Sequence, residues 1–274
     1  MTPLACGRFE LALDRPLVMG VVNVTRDSFS DGGLYAHADA AIAHARRLIG
    51  EGADLVDIGG ESTRPGAAPV SPADEIARVA PVLEALRDAG RPLSVDTRRP
   101  EVMRAALALG ADMINDVEGF RSRAAIDAVA GGRAALCVMH MLGDPSTMQH
   151  APVYRDVVSQ VHGFLQDRLQ RLGEAGVSPA RVVLDPGIGF GKTQEDNLRL
   201  LRALPALCAA GRPVLVGVSR KSLIGHLTGR PLDERLAGSL AAMLAAAARG
   251  ARILRVHDVA ASRDALAVWQ AIEG

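Results

Sequence analysis

The chain alternates short aliphatic runs with longer segments in which apolar residues recur at helical spacing. The short runs are rich in Val, Ile and Leu, which is typical of buried parallel strands joined by crossover helices. Eight runs have this character: PLVMGVV, ADLVDI, PLSVD, ADMIND, AALCVMH, RVVLD, PVLVGV and ARILRVH. The pattern therefore predicts eight parallel strands.

Capping residues mark the helices that should connect these strands. Asp, Ser or Pro stands at several of the predicted starts, where each is favoured. We place the starts near Asp39, Asp74, Pro100, Ala124, Asp156, Glu195, Glu234 and Ser262. Several helices should end at or next to a glycine that can adopt a left-handed cap, namely Gly50, Gly90, Gly110 and Gly250.

Eight βα units in 274 residues favour one closed (β/α)8 TIM barrel, with an open doubly wound sheet as the alternative. No linker rich in Pro or Ser and no block of charge divides the chain. We therefore expect a single domain over residues 1–274, large enough to bury an extensive core.

Composition limits which binding partners and which cellular compartment we expect. Because 31 basic residues balance 31 acidic ones, no net field favours nucleic acid or an anionic membrane. The longest apolar stretch, Leu236–Ala248, is shorter than the roughly 20 residues of a membrane-spanning helix. The amino terminus lacks the apolar segment of a signal peptide, and Cys6, Cys137 and Cys208 have neither metal-ligand nor CxxC spacing. We expect a cytoplasmic protein.

Polar residues directly follow nearly every predicted strand. They are Asn23, Asp57, Asp96, Asn115, Asp116, Asp185, Ser219 to Ser222, Arg255 and His257. In a barrel these positions share one face, where active sites form. Taken singly, Asp57 and Asp116 are explained equally well as turn residues. Arg255 and His257 should point the same way, because alternate strand residues share a face, and such a cationic pair predicts a bound anion.

Other chemistries are disfavoured by spacing. GFGKT resembles a P-loop, but Pro186 stands at the first-glycine position and only three residues separate Gly187 from Gly191. The glycines of GGES, RPGA and PGIGFG predict positive φ angles or close approach of backbone to a ligand. No cluster has zinc spacing, and no serine lies in a G-x-S-x-G context. The role of His140, at the end of the fifth strand, stays open.

Eight motifs in one order, from Val18 to Asp258, resemble bacterial dihydropteroate synthase. They are MGVVNVTRDSFSDGG, GGESTRPGA, SVDTRRPEV, INDV, MHMLGDPSTMQ, LDPGIGFGKT, GVSRKS and RVHDV. The resemblance implies a barrel that joins 4-aminobenzoate to 6-hydroxymethyl-7,8-dihydropterin diphosphate. The products would be 7,8-dihydropteroate, a folate precursor, and diphosphate.

The resemblance also implies roles for the strand-end residues. The pterin would bind Asp96, Asn115, Asp185 and Lys221. The diphosphate would bind Arg255, His257, Thr63 and Asn23, with Asn23 acting through a Mg2+ ion. The aminobenzoate would contact Phe29, Arg64, Pro65, Phe190, Lys221 and Ser222. The residues taken to act in catalysis are Asp96, Asp185, Lys221, Arg255, His257 and Asp31.

The same resemblance predicts a homodimer built on late helices such as Asp233–Ala248, and competition by sulfonamides, which mimic aminobenzoate. One departure is Arg26, where many members carry proline. This change affects the expected conformation of the loop after the first predicted strand more than the chemistry of that loop.

Two alternative functions are a pterin-binding methyltransferase of corrinoid pathways, which has no need of Arg255 and His257, and a pterin-binding paralogue that has lost catalysis.

Overall fold

The computed structural model describes residues 2–24, 34–62, 69–143, 148 and 152–273. Eight parallel strands form a barrel, as the hydrophobic pattern predicts. These are β3 (Leu17–Asn23), β4 (Leu55–Gly59), β5 (Leu93–Asp96), β6 (Met113–Asp116), β7 (Ala135–Met139), β8 (Val182–Asp185), β9 (Leu215–Val216) and β10 (Ile253–Val256).

The first and last strands of this sheet pair with each other, since Ile253 of β10 lies opposite Leu17 of β3. The opposite seam is nearly closed. There, Leu184 N donates to Pro213 O at 2.9 Å, and an isolated parallel bridge joins Leu184 to Val214. The closed barrel is therefore confirmed over the open doubly wound sheet.

Ten α-helices within the described ranges surround the strands. They are α1 (Leu34–Gly50), α2 (Pro72–Leu86), α3 (Pro100–Ala108), α4 (Arg123–Val129), α5 (Val157–Glu174), α6 (Gln194–Arg202), α7 (Leu204–Cys208), α8 (Ser222–Thr228), α9 (Leu236–Ala248) and α10 (Val259–Glu273). All eight predicted helices are present. The short helices α7 and α8 were not predicted, because neither has a side-chain cap at its start, unlike the seven-residue helix α4, which Ser122 caps.

Side-chain caps and glycines fix the helix ends. Thr193 begins α6 with a reciprocal capping box, in which its hydroxyl accepts from Asp196 N at 3.1 Å. Gly110 and Gly250 follow α3 and α9 with φ of +94° and +99°, as predicted. Gly50 instead ends α1 without a left-handed angle, and Gly52 takes that conformation with φ of +96°.

A short hairpin covers the amino-terminal end of the barrel. Strands β1 (Leu4–Cys6) and β2 (Phe9–Leu11) pair antiparallel, and the side chains of Leu4 and Cys6 pack into the barrel floor with Met19 and Leu55. The hairpin was not predicted, since strands of three residues are too short to show alternation. It closes the face opposite the predicted site.

None of the described helices is both long and apolar enough to span a membrane. Cys6 and Cys137 are buried thiols and Cys208 is a partly buried one. This agrees with cysteines that serve as small apolar side chains rather than as metal ligands.

Candidate active site

Strand register aligns the polar residues at the mouth of the barrel. Asn23 lies opposite Gly59, Gly59 opposite Asp96, and Asp96 opposite Asn115, across β3 to β6. Gly59 leaves room in this row, because a Cβ there would lie 3.7 Å from both Asn23 Oδ1 and Asp96 Cβ. The row therefore places three polar side chains side by side, as the strand-end pattern predicts.

Arg255 joins this row to a deeper carboxylate. Its Nε donates to Asp57 Oδ2 at 2.6 Å and its Nη2 to Asp96 Oδ2 at 2.8 Å. Asn115 Nδ2 also donates to Asp57 Oδ2, at 3.1 Å. The sequence predicted that Arg255 would need an anion, and two carboxylates of the protein itself fill that role here.

Two members of this cluster are almost fully buried. Asp57 is 0% exposed and Asn115 is 4% exposed. Burial raises the pKa of Asp96 to about 7, against the opposing charge of Arg255 and with help from Asp57. Among the described residues, Asp57 Oδ1 and Asn115 Oδ1 have no hydrogen-bond partner. Buried acceptors without donors are costly, so this cluster suits a flat ligand that presents N–H groups.

Asp185 and Lys221 form the opposite side of the mouth. Asp185 Oδ1 accepts from Gly187 N at 2.7 Å, and burial raises the pKa of Asp185 although the charge of Lys221 opposes this. Burial lowers the pKa of Lys221 to about 8. Lys221 Nζ donates to Ile188 O and lies 4.6 Å from the centroid of the Phe190 ring. An ammonium above an aromatic ring can hold the edge of a second ring or a carboxylate.

The glycine-rich loop after β8 packs against His140, the residue that follows β7. Gly187, Gly189 and Gly191 have positive φ, as predicted. A Cβ at Gly187 would lie 1.9 Å from His140 O, so the close approach is to the chain itself. Any side chain at Gly187 would push this loop away from β7.

Lys192 secures this loop and is not used as a P-loop lysine. It is 4% exposed, and its Nζ donates to Gly187 O and Phe190 O, each at 2.9 Å, and to His140 O at 3.2 Å. His140 Nδ1 lies 3.0 Å from the same ammonium, and burial together with this charge lowers the pKa of His140 to about 3. His140 thus belongs to the support of the loop. Sequence reasoning gave Lys192 no role beyond the rejected motif.

The residues that follow β9 form hydrogen bonds with the residues that follow β10. His257 lies just past the end of β10, where Ser219 Oγ accepts from its backbone N at 3.3 Å and lies 3.1 Å from its Nδ1. Asp258 pairs with Arg220, whose Nε donates to Asp258 Oδ2 at 2.9 Å. Ser222 begins α8, next to Lys221. His257 and Arg255 therefore contact different neighbours, although they belong to one strand end.

Two strand-end aspartates can now be assigned. The Asp116 carboxylate accepts from Glu118 N at 2.8 Å and from Phe120 N at 2.6 Å, so this residue organises a turn. Asp57 is no turn residue, since its partners are Arg255 and Asn115. The family resemblance gave Asp57 no role. Its place in a strand-end motif was the available signal.

Glu61 anchors both ends of the loop that joins β4 to α2. Glu61 Oε1 accepts from Val70 N at 3.1 Å and from Arg99 Nη2 at 2.6 Å.

Several predicted site residues lie outside the described residues, namely Phe29, Asp31, Thr63, Arg64 and Pro65, as does Arg26.

Comparison with known proteins identifies this constellation. The model of a family described as pterin binding enzyme matches residues 19–257. A dihydropteroate synthase of Neisseria meningitidis serogroup B is 53% identical over 273 residues, which cover 97% of this chain and 96% of the relative.

Solved structures agree with the sequence matches. The dihydropteroate synthase of Xanthomonas albilineans with 4-aminobenzoic acid is 56% identical, with a TM-score of 0.94, and covers 99% of this chain and 98% of that one. That of Burkholderia cenocepacia complexed with 7,8-dihydropteroate is 55% identical, with a TM-score of 0.91 and coverage of 99% and 96%. That of Yersinia pestis with a sulfonamide drug is 43% identical, with a TM-score of 0.93 and coverage of 99% of both chains.

Proposed function

Because the chain belongs to the dihydropteroate synthase family of pterin-binding transferases, we propose the following reaction for it. The enzyme condenses 6-hydroxymethyl-7,8-dihydropterin diphosphate with 4-aminobenzoate and releases 7,8-dihydropteroate and diphosphate. The observation that carries this proposal is the buried cluster of Asp57, Asp96, Asn115 and Arg255 at the carboxyl ends of the strands.

The pterin binds to the acid and amide side chains. Asp96, Asn115 and Asp185 offer oxygen acceptors to the N–H groups of the ring, and Lys221 offers donors to its carbonyl or ring nitrogen. The unpartnered oxygens of Asp57 and Asn115 support this assignment, because a ring with several donors would satisfy them.

The diphosphate binds at Arg255 and His257, with Thr63 as a further donor. Two of the guanidinium nitrogens of Arg255 contact Asp57 and Asp96, and the side chain is 21% exposed. One guanidinium can therefore neutralise the aspartates and still offer charge-assisted bonds to a phosphate oxygen. The pterin and diphosphate sites are thus electrostatically linked through Arg255.

The reaction separates charge, and the site is built to stabilise both parts. When the carbon–oxygen bond breaks, its electron pair leaves on the diphosphate, beside Arg255 and His257. The positive charge left on the pterinylmethyl group is stabilised by the carboxylates of Asp96 and Asp185, with Asp31 as a third acid. The neutral arylamine then attacks this carbon and loses a proton.

The aminobenzoate lies between residues that follow β8 and β9 and the two loops that follow β3 and β4. Phe190 supplies a ring that Lys221 already covers at 4.6 Å, and Ser222 supplies a hydroxyl beside it. Phe29, Arg64 and Pro65 complete this side. The same contacts would accept a sulfonamide, so sulfonamides should compete with aminobenzoate.

Mg2+ is the implied cofactor, and the described residues fit only a limited role for it. No group of three His, Cys, Asp or Glu side chains able to hold a metal occurs among the described residues. Asn23 offers one amide oxygen, and Mg2+ commonly takes its remaining ligands from water and substrate phosphates. Asn23 would hold the ion, which would neutralise phosphate charge.

Product formation from the two substrates tests the function. We expect purified protein with Mg2+ to form dihydropteroate, detected by radiolabelled aminobenzoate, and chelation of Mg2+ to reduce the rate. Absence of product at micromolar enzyme would reject the synthase and favour a pterin-binding paralogue without catalysis. Methyl transfer from methyl-tetrahydrofolate to a corrinoid would favour the alternative enzyme.

We also propose a homodimer that buries the surface around α8 and α9. Leu227, Leu232 and Leu236 are 54%, 49% and 41% exposed there, and exposed apolar surface is typical of protein–protein contacts. Sedimentation velocity should give a dimer for the wild type and a monomer for Leu227→Asp. Val153→Asp, at an exposed position ahead of α5, should remain dimeric.

A cytoplasmic location is a further part of the proposal. The free thiols of Cys6, Cys137 and Cys208 support it, because they suit a reducing compartment.

A further inference from the structure

The backbone is strained directly before Lys221. Arg220 has φ of +59°, and Phe120 is the other non-glycine residue with positive φ in the described part of the chain. A left-handed angle is unfavourable for a residue with a Cβ and persists only where surrounding contacts hold it. The conformation of Arg220 therefore requires an anchor.

Asp258 supplies this anchor from the neighbouring strand end. Arg220 Nε donates to Asp258 Oδ2 at 2.9 Å and Nη2 donates to Asp258 Oδ1, which makes a two-point ion pair. The Arg220 peptide is held as well, because its N donates to Ser239 Oγ at 2.9 Å and its O accepts from Arg235 Nη1 at 3.0 Å.

Asp258 is itself fixed directly before α10. Its carbonyl oxygen accepts from Ser262 N at 3.0 Å and from Ser262 Oγ at 2.7 Å. The segment it holds has little support of its own, since β9 ends at Val216 after two residues. The position of the loop after β9 therefore depends on contacts with the end of β10.

We propose that Asp258 is a positioning residue, which holds Arg220 in its left-handed conformation and thereby keeps Lys221 in the active site. The inference rests on the proposed synthase function, in which Lys221 contacts both substrates. Lys221 is the next residue, and its ammonium contacts Ile188 O and the Phe190 ring from this backbone position.

Asp258→Asn tests the role directly, because it removes the charge and keeps the size. We expect kcat/KM for dihydropteroate formation to fall about tenfold, with KM for both substrates raised. Asp127→Asn is the matched control, since it removes one side of an exposed Arg123–Asp127 pair at 2.8 Å on α4. It should leave kinetics unchanged. An unaffected Asp258→Asn enzyme would overturn the role.

Two substitutions of Arg220 separate backbone from charge. Arg220→Ala and Arg220→Gly both lose the ion pair, but only glycine adopts a positive φ without strain. The alanine variant should lose about tenfold in kcat/KM, and the glycine variant should stay within threefold of the wild type. Equal losses would show that the guanidinium, and not the backbone angle, matters. This comparison also serves if Asp258→Asn fails to fold.

A Lys221→Met background identifies the group that is positioned. Asp258→Asn should then change kcat/KM by less than twofold, because residues acting through one another are not additive. A full tenfold loss in that background would overturn the link to Lys221. Wild-type enzyme without product would reject the proposed function itself, whereas active wild type with unaffected variants would reject only the role of Asp258.

Discussion

The amino-terminal end of the barrel buries a carboxylate with four donors, whereas the carboxyl-terminal end buries two carboxylates around one guanidinium. Asp112 is 1% exposed. It accepts from Arg8 Nε at 3.0 Å, Arg8 Nη2 at 2.9 Å, Arg8 N at 3.1 Å and Leu93 N at 3.1 Å. Both of its oxygens are fully used to hold the hairpin on the barrel floor.

The mouth of the barrel leaves some of its acceptors unused. Asp57 and Asp96 share Arg255, and oxygens of Asp57 and Asn115 have no partner within the described ranges. A buried charge that is fully bonded stabilises the fold, and one that is not is available to a ligand. Burial alone therefore does not distinguish Asp112 from the acids at the mouth, whereas the number of donors to each carboxylate does.

The largest effect should come from the floor. Asp112→Ala removes four hydrogen bonds and leaves two backbone N–H groups without acceptors, which should lower the free energy of unfolding by about 3 kcal/mol. Urea unfolding followed by circular dichroism measures this. Below the transition, kcat/KM should match the wild type, and a loss of activity without a loss of stability would contradict the comparison.

At the mouth of the barrel, Asp185→Ala should impair ligand binding rather than stability. Pterin affinity should fall at least 100-fold, about 2.7 kcal/mol, because the ring loses a buried charged acceptor. Stability should fall much less than in Asp112→Ala, since a desolvated carboxylate is removed and a single backbone N–H, that of Gly187, loses its acceptor. Calorimetric titration with the pterin, together with urea unfolding, measures both. Unchanged affinity would refute the placement of Asp185.

Arg255→Ala should distinguish the diphosphate ester from the free pterin alcohol. Affinity for the ester should fall about tenfold more than affinity for the alcohol, or about 1.4 kcal/mol. Both should weaken somewhat, because Asp57 and Asp96 lose their shared cation. Competition titrations with the two ligands measure the difference. Equal weakening would mean that Arg255 serves only the aspartates.

The smallest effect is a dependence of pterin affinity on pH. The pKa of Asp96 is raised to about 7, so its carboxylate, which we propose as an acceptor for the ring, becomes protonated as the pH falls through that value. Affinity should drop about fourfold from pH 8 to pH 6.5. Asp96→Asn should abolish the dependence. If the dependence persisted in that variant, another acid such as Asp116, whose pKa is also raised to about 7, would be responsible.

The fold could be read from the sequence because its signals are local. Each aliphatic run and each cap marks one element, and parallel register then brings Asn23, Asp96 and Asn115 together without further information. The hairpin was not predicted because strands of three residues show no alternation, and helix α8 was not predicted because no side-chain cap marks its start.

The electrostatic partners of the site could not be predicted in the same way. Arg255 lies 198 residues from Asp57 and 159 from Asp96, and no local pattern states which acid an arginine will meet. The left-handed angle of Arg220 was equally hidden, since nothing in the residue type indicates it. The roles of Asp57, Lys192 and Asp258 follow from such distant contacts.

The distance from Asp57 to Arg255 also sets an order during synthesis. At about 5–20 residues per second, a ribosome needs about 10 to 40 s to add the 198 residues that separate them. Until β10 emerges, β3 lacks the neighbour opposite Leu17, and two aspartates lack their cation. A nascent or truncated chain therefore exposes a strand edge and an uncompensated acid pair, and the binding site forms only when the last strand has been made.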